Sequence, residues 1–412
     1  MAKRALVILE AASNSLRYVE VAQSIGLHPI TLLTNESQYK YLSTSESEVM
    51  FVKERDVNAF IHQCSEVLMT YDIAGITSPS EEVYATVGYL CRHFNLPGPN
   101  PISIERCCKK FTQRRLLAEA GVPIPAYRVA ANTADVENAA AEIGLPVVVK
   151  PAVGVGSSGV RLCRKMDELC EHANSLLATA YASQSSPWIL VEEFARGSHY
   201  SVELMCNEVI GIAAADFGDP PHFVCRQYVC PAPLTTKERR RIIDISLNCL
   251  QALGLGWGPA NIDLRWTRLG PVVIEVNPRL AGVPNPQLIK LAYGIDLIAE
   301  HIKLAVGAGK EGKECTLRRR HSHVAAARIF VPDRDGTLDW IRGESRAAAV
   351  QGVAEIKFDV APFAPIVRKG DYRDRLGYVV VASPTRARTN AVLQRAVDLI
   401  DWSITPFTAI GK

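Results

Sequence analysis

No two of the eleven cysteines stand at C-x-x-C spacing, which excludes the usual zinc frameworks. His222 close to Cys225 completes no such site. Reduced, mostly buried thiols of a cytosolic protein are the reading that remains. Long apolar runs are missing as well. The run Ala5–Leu9 is too short for a secretory leader and reads as a first strand, so the expectation is a soluble, cytoplasmic chain with no membrane partner. Neither sign of charge is in excess: 46 Lys and Arg stand against 43 Asp and Glu, a net +3, which gives no general attraction to nucleic acid. The basic runs Arg239–Arg241 and Arg318–Arg320 carry no interleaved aromatics and read as solvated surface. Glycines are absent where a dinucleotide-binding turn would need them. The first strand exits through Glu10-Ala11-Ala12-Ser13-Asn14-Ser15, which disfavours that function at this turn.

What is present is an alternation of strand and helix. Pro29–Leu33 and Ile73–Thr77 read as strands, and Leu16, Val19, Ala22 and Ile25 share a helix face that stops at Gly26. A βαβ rhythm of this kind predicts a parallel sheet over the first hundred residues, followed by a helix over Glu81–Phe94. Leu96-Pro97-Gly98-Pro99-Asn100-Pro101 breaks the rhythm and marks a boundary. A helix is predicted from about Ser103 to Ala120, a strand over Pro146–Lys150, and a second apolar strand over Trp188–Phe194. Thr235 and Glu238 have capping-box spacing and open another helix. Gly307–Glu314 is a polar linker, after which strands and a last helix, Thr389–Ile400, close the chain. At 412 residues there is room for two or three domains, and the fold class is α/β (α+β).

The chemistry concentrates at Ile274-Glu275-Val276-Asn277-Pro278-Arg279. Val272–Val276 is a β-branched run, Ala260–Trp266 alternates polar and apolar residues, and Gly270 lies in the turn between them, so the segment reads as a β-hairpin. A period of two puts Glu275 and Asn277 on one face, with Asp263 across from Glu275 if the turn centres near Leu269. Like charges opposed in a hairpin are destabilising unless something positive sits between them. Two carboxylates and an amide oxygen are hard donors of the kind that hold Mg²⁺ against phosphates. Upstream, Lys150 ends a strand and precedes Gly154-Val155-Gly156-Ser157-Ser158-Gly159. Backbone N–H groups of such a loop can wrap phosphates, with the lysine as a point charge. The lysine precedes the glycines, so this is no Walker A motif.

Lys110 before a helix, Lys150 before the glycine loop, Val191-Glu192-Glu193-Phe194 followed by Gly197, and Asp263…Glu275-x-Asn277-x-Arg279 occur in that order. This ordered set resembles the ATP-grasp superfamily across nearly the whole chain. Pro220–Val224, Pro231-Ala232-Pro233 and the Asn277–Gly282 ending are similar to carboxylate–amine ligases that include L-amino-acid (dipeptide) ligases. The amino-terminal segment resembles ATP-grasp proteins of siderophore and peptide-natural-product assembly. The resemblance implies an amino-terminal Rossmann-like parallel-sheet domain at 1–101 and an ATP-grasp domain at 102–310, divided into 102–186 and 187–310. A small α+β domain would follow at 311–412. It also implies that Lys110 and Lys150 bind ATP phosphates under a loop containing Gly154, Gly156, Ser157, Ser158 and Gly159. Glu192, Glu193, Phe194 and Ala195 would grip adenine, and His199 stands where ribose is held. Asp263, Glu275 and Asn277 would hold Mg²⁺, with Mn²⁺ as a substitute, and Arg279 would act with Lys150 in catalysis. A homodimer follows only by analogy.

Some positions depart from the family pattern. Lys109 stands where many members have Asp or Asn, so Lys110 is assigned by its spacing to Gly121. Cys225 and Tyr228 stand where dipeptide ligases tend to carry Glu and His, the Glu helping to hold the α-amino group of the first amino acid. Arg226 beside them is the candidate partner of an additional substrate carboxylate, through a bidentate fork, and Gly282 a further substrate contact. The activity expected is ADP-forming ligation of a small-molecule carboxylate to an amine through an acyl phosphate. The alternatives are an ATP-grasp carboxylase or formyl-transferring enzyme of purine type, and a non-catalytic ATP-binding protein.

Overall fold

Every residue from Ala5 to Leu9 is apolar and fully buried, as a strand covered on both faces requires. In the computed structural model, which describes residues 2–12, 14–42, 47–182, 188–308 and 322–407, this run lies inside a four-stranded sheet. The order is Glu48–Phe51, His28–Leu33, Lys3–Leu9, Tyr71–Thr77, and all three pairings are parallel. The strand Glu48–Phe51 was not expected; it is an edge strand of four residues and only partly buried, too short for a period to show. The linker after Gly307, the arginine run at 318–320, and the expected boundaries at 186 and 310 lie outside the described residues. Among the described residues no helix is long and apolar enough to cross a membrane.

An eight-stranded antiparallel sheet carries the hairpin. Its order is Gly270–Asn277, Pro259–Thr267, Ser198–Met205, Glu208–Asp216, Gln227–Cys230, Val324–Phe330, Gly377–Ser383, Val353–Phe358. Strands from both sides of residue 310 thus share one sheet. Val202, Leu204, Ile262, Leu264 and Val276 alternate onto one face, buried with Ile242, Cys249, Leu250 and Leu253 of the helix Thr236–Leu253. Each such side chain contributes about 1.5–3 kcal/mol on burial. That helix opens with the capping box read from Thr235 and Glu238, and Gly254 ends it in the left-handed region. The intervening polar positions therefore face the other way. Register aligns Ser201, Asp263 and Glu275 in one cross-strand row, and Glu203, Asn261 and Asn277 in the next.

A second antiparallel sheet, ordered Tyr127–Ala130, Ile189–Glu193, Val147–Pro151, Arg161–Cys163, is backed by the helices Thr133–Ile143 and Met166–Ala182. It supplies Lys150, the glycine loop and Glu192. A three-stranded sheet and the helix Arg386–Asp398 complete the carboxy-terminal part.

The single helix expected over 103–120 is two helices, Pro101–Cys108 and Lys110–Glu119, broken at Lys109. The break is filled by Gln113, whose amide donates to the carbonyls of Cys107 (2.7 Å) and Val276 (2.8 Å) and accepts from the Val276 N–H at 3.1 Å. One buried side chain thus fastens both helices to the hairpin. Likewise, the helix expected from Glu81 begins as a 3₁₀ turn over Glu81–Val83 before Tyr84–His93.

Candidate active site

The hairpin pairs Asp263 with Glu275 and Asn261 with Asn277. A bulge leaves Ile274 unpaired between Glu275 and Val273, and its carbonyl accepts from Arg114. With carboxylates directly opposed, cations must lie close. The Lys110 ammonium bonds Glu275 and also donates to the Gly154 carbonyl at 3.2 Å. His199 Nε2 lies 3.2 Å from Asp263 Oδ1, its ring tilted against Phe217 with centroids 4.5 Å apart. Burial works to raise the Glu275 carboxyl, yet Lys110, Lys150 and Arg279 outweigh it and hold it down at about 2. Burial works against the charge on Lys110 in the same way, and the Glu275 carboxylate reverses that.

Lys150 is almost fully buried and sits 2.7 Å from Glu192 Oε2, while Arg114 Nε donates to Glu192 Oε1 at 2.6 Å. Burial brings the Lys150 ammonium down to about 8, with Glu192 opposing and Arg114 adding to the fall. Glu192 is kept ionised against its own burial by Arg114 and Lys150. Its carboxylate is thus engaged in holding Lys150. Arg279 Nε donates to Glu81 Oε2 at 2.7 Å, which ties the hairpin end to the outlet of the parallel sheet. Asn277 Nδ2 donates to Asn261 Oδ1 at 3.3 Å.

Two hollows meet at these residues. The first is lined by Lys110, Lys150, Gly154, Ser158, Glu192–Ala195 and His199, with Phe217, Phe223 and Arg265. The Arg265 guanidinium lies 5.2 Å and 5.6 Å from the ring centres of Phe194 and Phe223, a cation–π wall on which a flat base could stack. The second, of about 510 Å³, includes Asn14, Glu81, Tyr228, Arg279, Gly282, Tyr372 and Arg375, a volume suited to a small molecule. Gly156, Ser157, Asp263 and Glu275 line both. Gly156 and Gly159 adopt positive φ (61° and 70°), as does Ser157 at 66°, so the loop between the hollows relies on left-handed backbone.

One candidate side chain stands apart from the hollows. Arg226 is exposed and lines neither hollow. It precedes the strand Gln227–Cys230 and packs its guanidinium stem over Gly218, in the connection between two central strands of the sheet. Cys225 and Tyr228 do face the larger hollow. Gln113, Arg114, Arg265, Glu81 and the segment around Tyr372 escaped the sequence reading. Arg114 had a signal: an arginine one helical turn after Lys110 shares its face.

Among the described residues no group of three or more His, Cys, Asp or Glu forms a metal cluster. The candidate donors are two carboxylates and an amide, a set that suits Mg²⁺ completed by phosphate and water oxygens.

Residues 109–311 match the family described as carbamoyl-phosphate synthase L chain, ATP binding domain. Residues 328–405 match L-amino acid ligase C-terminal domain 2. The chain is 53% identical over 407 residues to the uncharacterized protein y4rH of Sinorhizobium fredii, covering 98% of this chain and 84% of that one. It is 28% identical over 336 residues to carnosine synthase 1 of Homo sapiens, covering 76% of this chain but 40% of the human protein. The solved L-amino acid ligase from Bacillus licheniformis has a TM-score of 0.85 at 21% identity, covering 98% of this chain and all of that one.

Proposed function

The chain belongs to the ATP-grasp carboxylate–amine ligase family, and from that premise we propose that it forms an amide bond with ADP and phosphate as by-products. The observation that carries this reading is the meeting of two hollows at Asp263, Glu275 and Gly156. A reaction that passes a phosphoryl group from a nucleotide to a second molecule needs such a junction. In the first step a carboxylate oxygen attacks the γ-phosphorus and the bond to ADP breaks. In the second the amine nitrogen attacks the acyl carbon, phosphate leaves, and the amine gives up its proton.

Lys110, Lys150 and the loop 154–159 would hold the phosphates, with Phe194, Ala195 and His199 along the nucleoside. Asp263, Glu275 and Asn277 would hold Mg²⁺, which when bound supplies charge neutralisation between carboxylates and phosphates. Lys110 would then turn from Glu275 to a phosphate oxygen. Arg279, fixed by Glu81, would face the acyl phosphate and stabilise its charge. Cys225, Tyr228 and Gly282 would shape the second substrate's pocket. Assembly of peptides or siderophore-type natural products is the setting that suits these chemistries, and the similarity to carnosine synthase 1 and L-amino acid ligase supports amino acids as substrates.

The test is a phosphate-release screen of paired amino acids, hydroxy acids and polycarboxylates, with product masses read out. ADP and phosphate formed only with both partners, and a product of their summed mass less water, are expected. Release of AMP and pyrophosphate, or turnover with bicarbonate or formate alone, would overturn the reading.

A further inference from the structure

The glycine loop is held from outside by a segment more than two hundred residues downstream. The Tyr372 N–H donates to the Gly156 carbonyl at 3.1 Å. Its ring lies so close that a methyl group on Gly156 would stand 2.4 Å from Tyr372 Cδ1. Arg373 Nη2 donates to Ser158 Oγ at 3.2 Å.

The holding segment is itself anchored. Asp371 is fully buried, and its carboxylate takes Arg373 Nε at 2.9 Å and Nη2 at 2.5 Å. Asp374 accepts from the N–H groups of Lys369 (2.6 Å) and Gly370 (2.8 Å), closing the turn on itself. Arg375 reaches Asp359 at 2.6 Å and the Val283 carbonyl at 3.3 Å. A fixed turn thus touches a loop whose glycines would otherwise sample many conformations.

We propose that Tyr372 and Arg373 are positioning residues for the phosphate loop, setting Gly156 and Ser158 where their backbone meets the polyphosphate of the nucleotide. Tyr372 and Arg375 also line the larger hollow, so the same turn borders both the phosphates and the second substrate. Pre-ordering the loop removes an entropic penalty from phosphate binding and leaves the nucleoside end untouched. This inference rests on the reading of the glycine loop as a phosphate site.

The experiment compares ATP and adenosine binding to the full chain by calorimetry, for the wild type, Lys150→Ala and the double variant Tyr372→Ala/Arg373→Ala. The double variant should bind ATP about tenfold more weakly, as expected for the loss of the Arg373–Ser158 hydrogen bond and of the Tyr372 ring against Gly156, with adenosine affinity unchanged and a lower Tm, since the buried Asp371 carboxylate loses its cation. Should it fail to fold, Arg373→Ala alone carries the test through a cycle with Ser158→Ala, in which the second substitution adds nothing to the first. Equal weakening of ATP and adenosine, or unaltered ATP binding, overturns the proposal. If the wild type binds ATP and Lys150→Ala weakens it while the double variant does not, only the positioning role falls. If the wild type binds no ATP, the phosphate-site reading falls with it.

Discussion

Two buried polar clusters solve the same physical problem in opposite ways. At the cleft, Lys110, Arg114, Lys150 and Arg279 stand among Glu81, Glu192, Asp263 and Glu275, cations set against carboxylates. In the core, His301 is wholly buried and contacts only neutral groups: Tyr18 OH at 2.7 Å on Nδ1, and Tyr84 OH at 2.9 Å and Thr77 Oγ1 at 3.2 Å on Nε2. Burial pulls the imidazole down to about 3, so it serves as a neutral hub joining the helices Ser15–Ser24, Tyr84–His93 and Leu297–Ala305 to the strand Tyr71–Thr77. Taking a charge out of water is tolerated where partners or a charged ligand compensate, and elsewhere the group neutralises. A cluster of paired charges lining a cleft is thus a mark of function, whereas a buried histidine among hydroxyls is a mark of packing.

The strongest challenge to this contrast is Lys150→Ala. Loss of a cation aimed at the transferring group should lower kcat by about 10²–10³-fold, measured by ADP formation in the presence of both substrates. Near-normal turnover would mean that the cleft cluster is as structural as the core one. The converse substitution, His301→Leu, leaves the hydroxyls of Tyr18 and Tyr84 buried without their acceptor and donor. It should cost about 2–4 kcal/mol of stability with kcat preserved. Urea denaturation alongside an activity assay checks both halves.

A smaller effect separates the clusters by pH. Lys150 releases its proton near pH 8 in the folded chain, against 10.5 for an ordinary lysine. Below pH 8 the lysine is charged in both folded and unfolded chains. Between 8 and 10.5 the unfolded chain keeps a proton the folded one has lost, so folding stability rises across that window. Phosphate affinity moves the other way, since the neutral amine no longer attracts the anion. ATP affinity of the free enzyme should therefore fall through pH 8 to 9, and Lys150→Arg, which stays charged, should show no break there. His301 remains neutral throughout, so His301→Leu should leave the profile unaltered.

The difference between the clusters also explains what the sequence could reveal. Asp263 opposite Glu275 follows from alternation plus a turn glycine, and Thr235 with Glu238 from cap spacing, because both depend on neighbours along the chain. Lys110 and Lys150 were singled out by the order of motifs, and both line the first hollow. Gln113, which mends the helix break at Lys109 by bonding a strand more than 160 residues away, leaves no local trace. Glu81 beneath Arg279 and Tyr372 against Gly156 are the same case, since their meaning arises only once distant segments meet. His301 illustrates the reverse: one apolar-flanked histidine on a helix, whose partners come from three other elements. The four-residue strand Glu48–Phe51 was missed for a simpler reason, its shortness.

The smallest expected effect concerns Arg226, a neighbour of Cys225 and Tyr228 that does not line the hollow they face. Adjacency made it a plausible fork for a second carboxylate on the substrate. Cys225 and Tyr228 face the hollow, while the Arg226 side chain lies over Gly218 in solvent. An exposed arginine away from the reacting groups contributes little, and substitutions of this kind stay within about 0.5 kcal/mol. Arg226→Ala should therefore leave the KM of the carboxylate substrate within about twofold of wild type, and Tyr228→Ala should raise it. Were Arg226→Ala to raise KM tenfold instead, the loop at Gly218 would have to move on substrate binding and carry the guanidinium inward. The distinction between charges inside the cleft and charges beside it would then need redrawing.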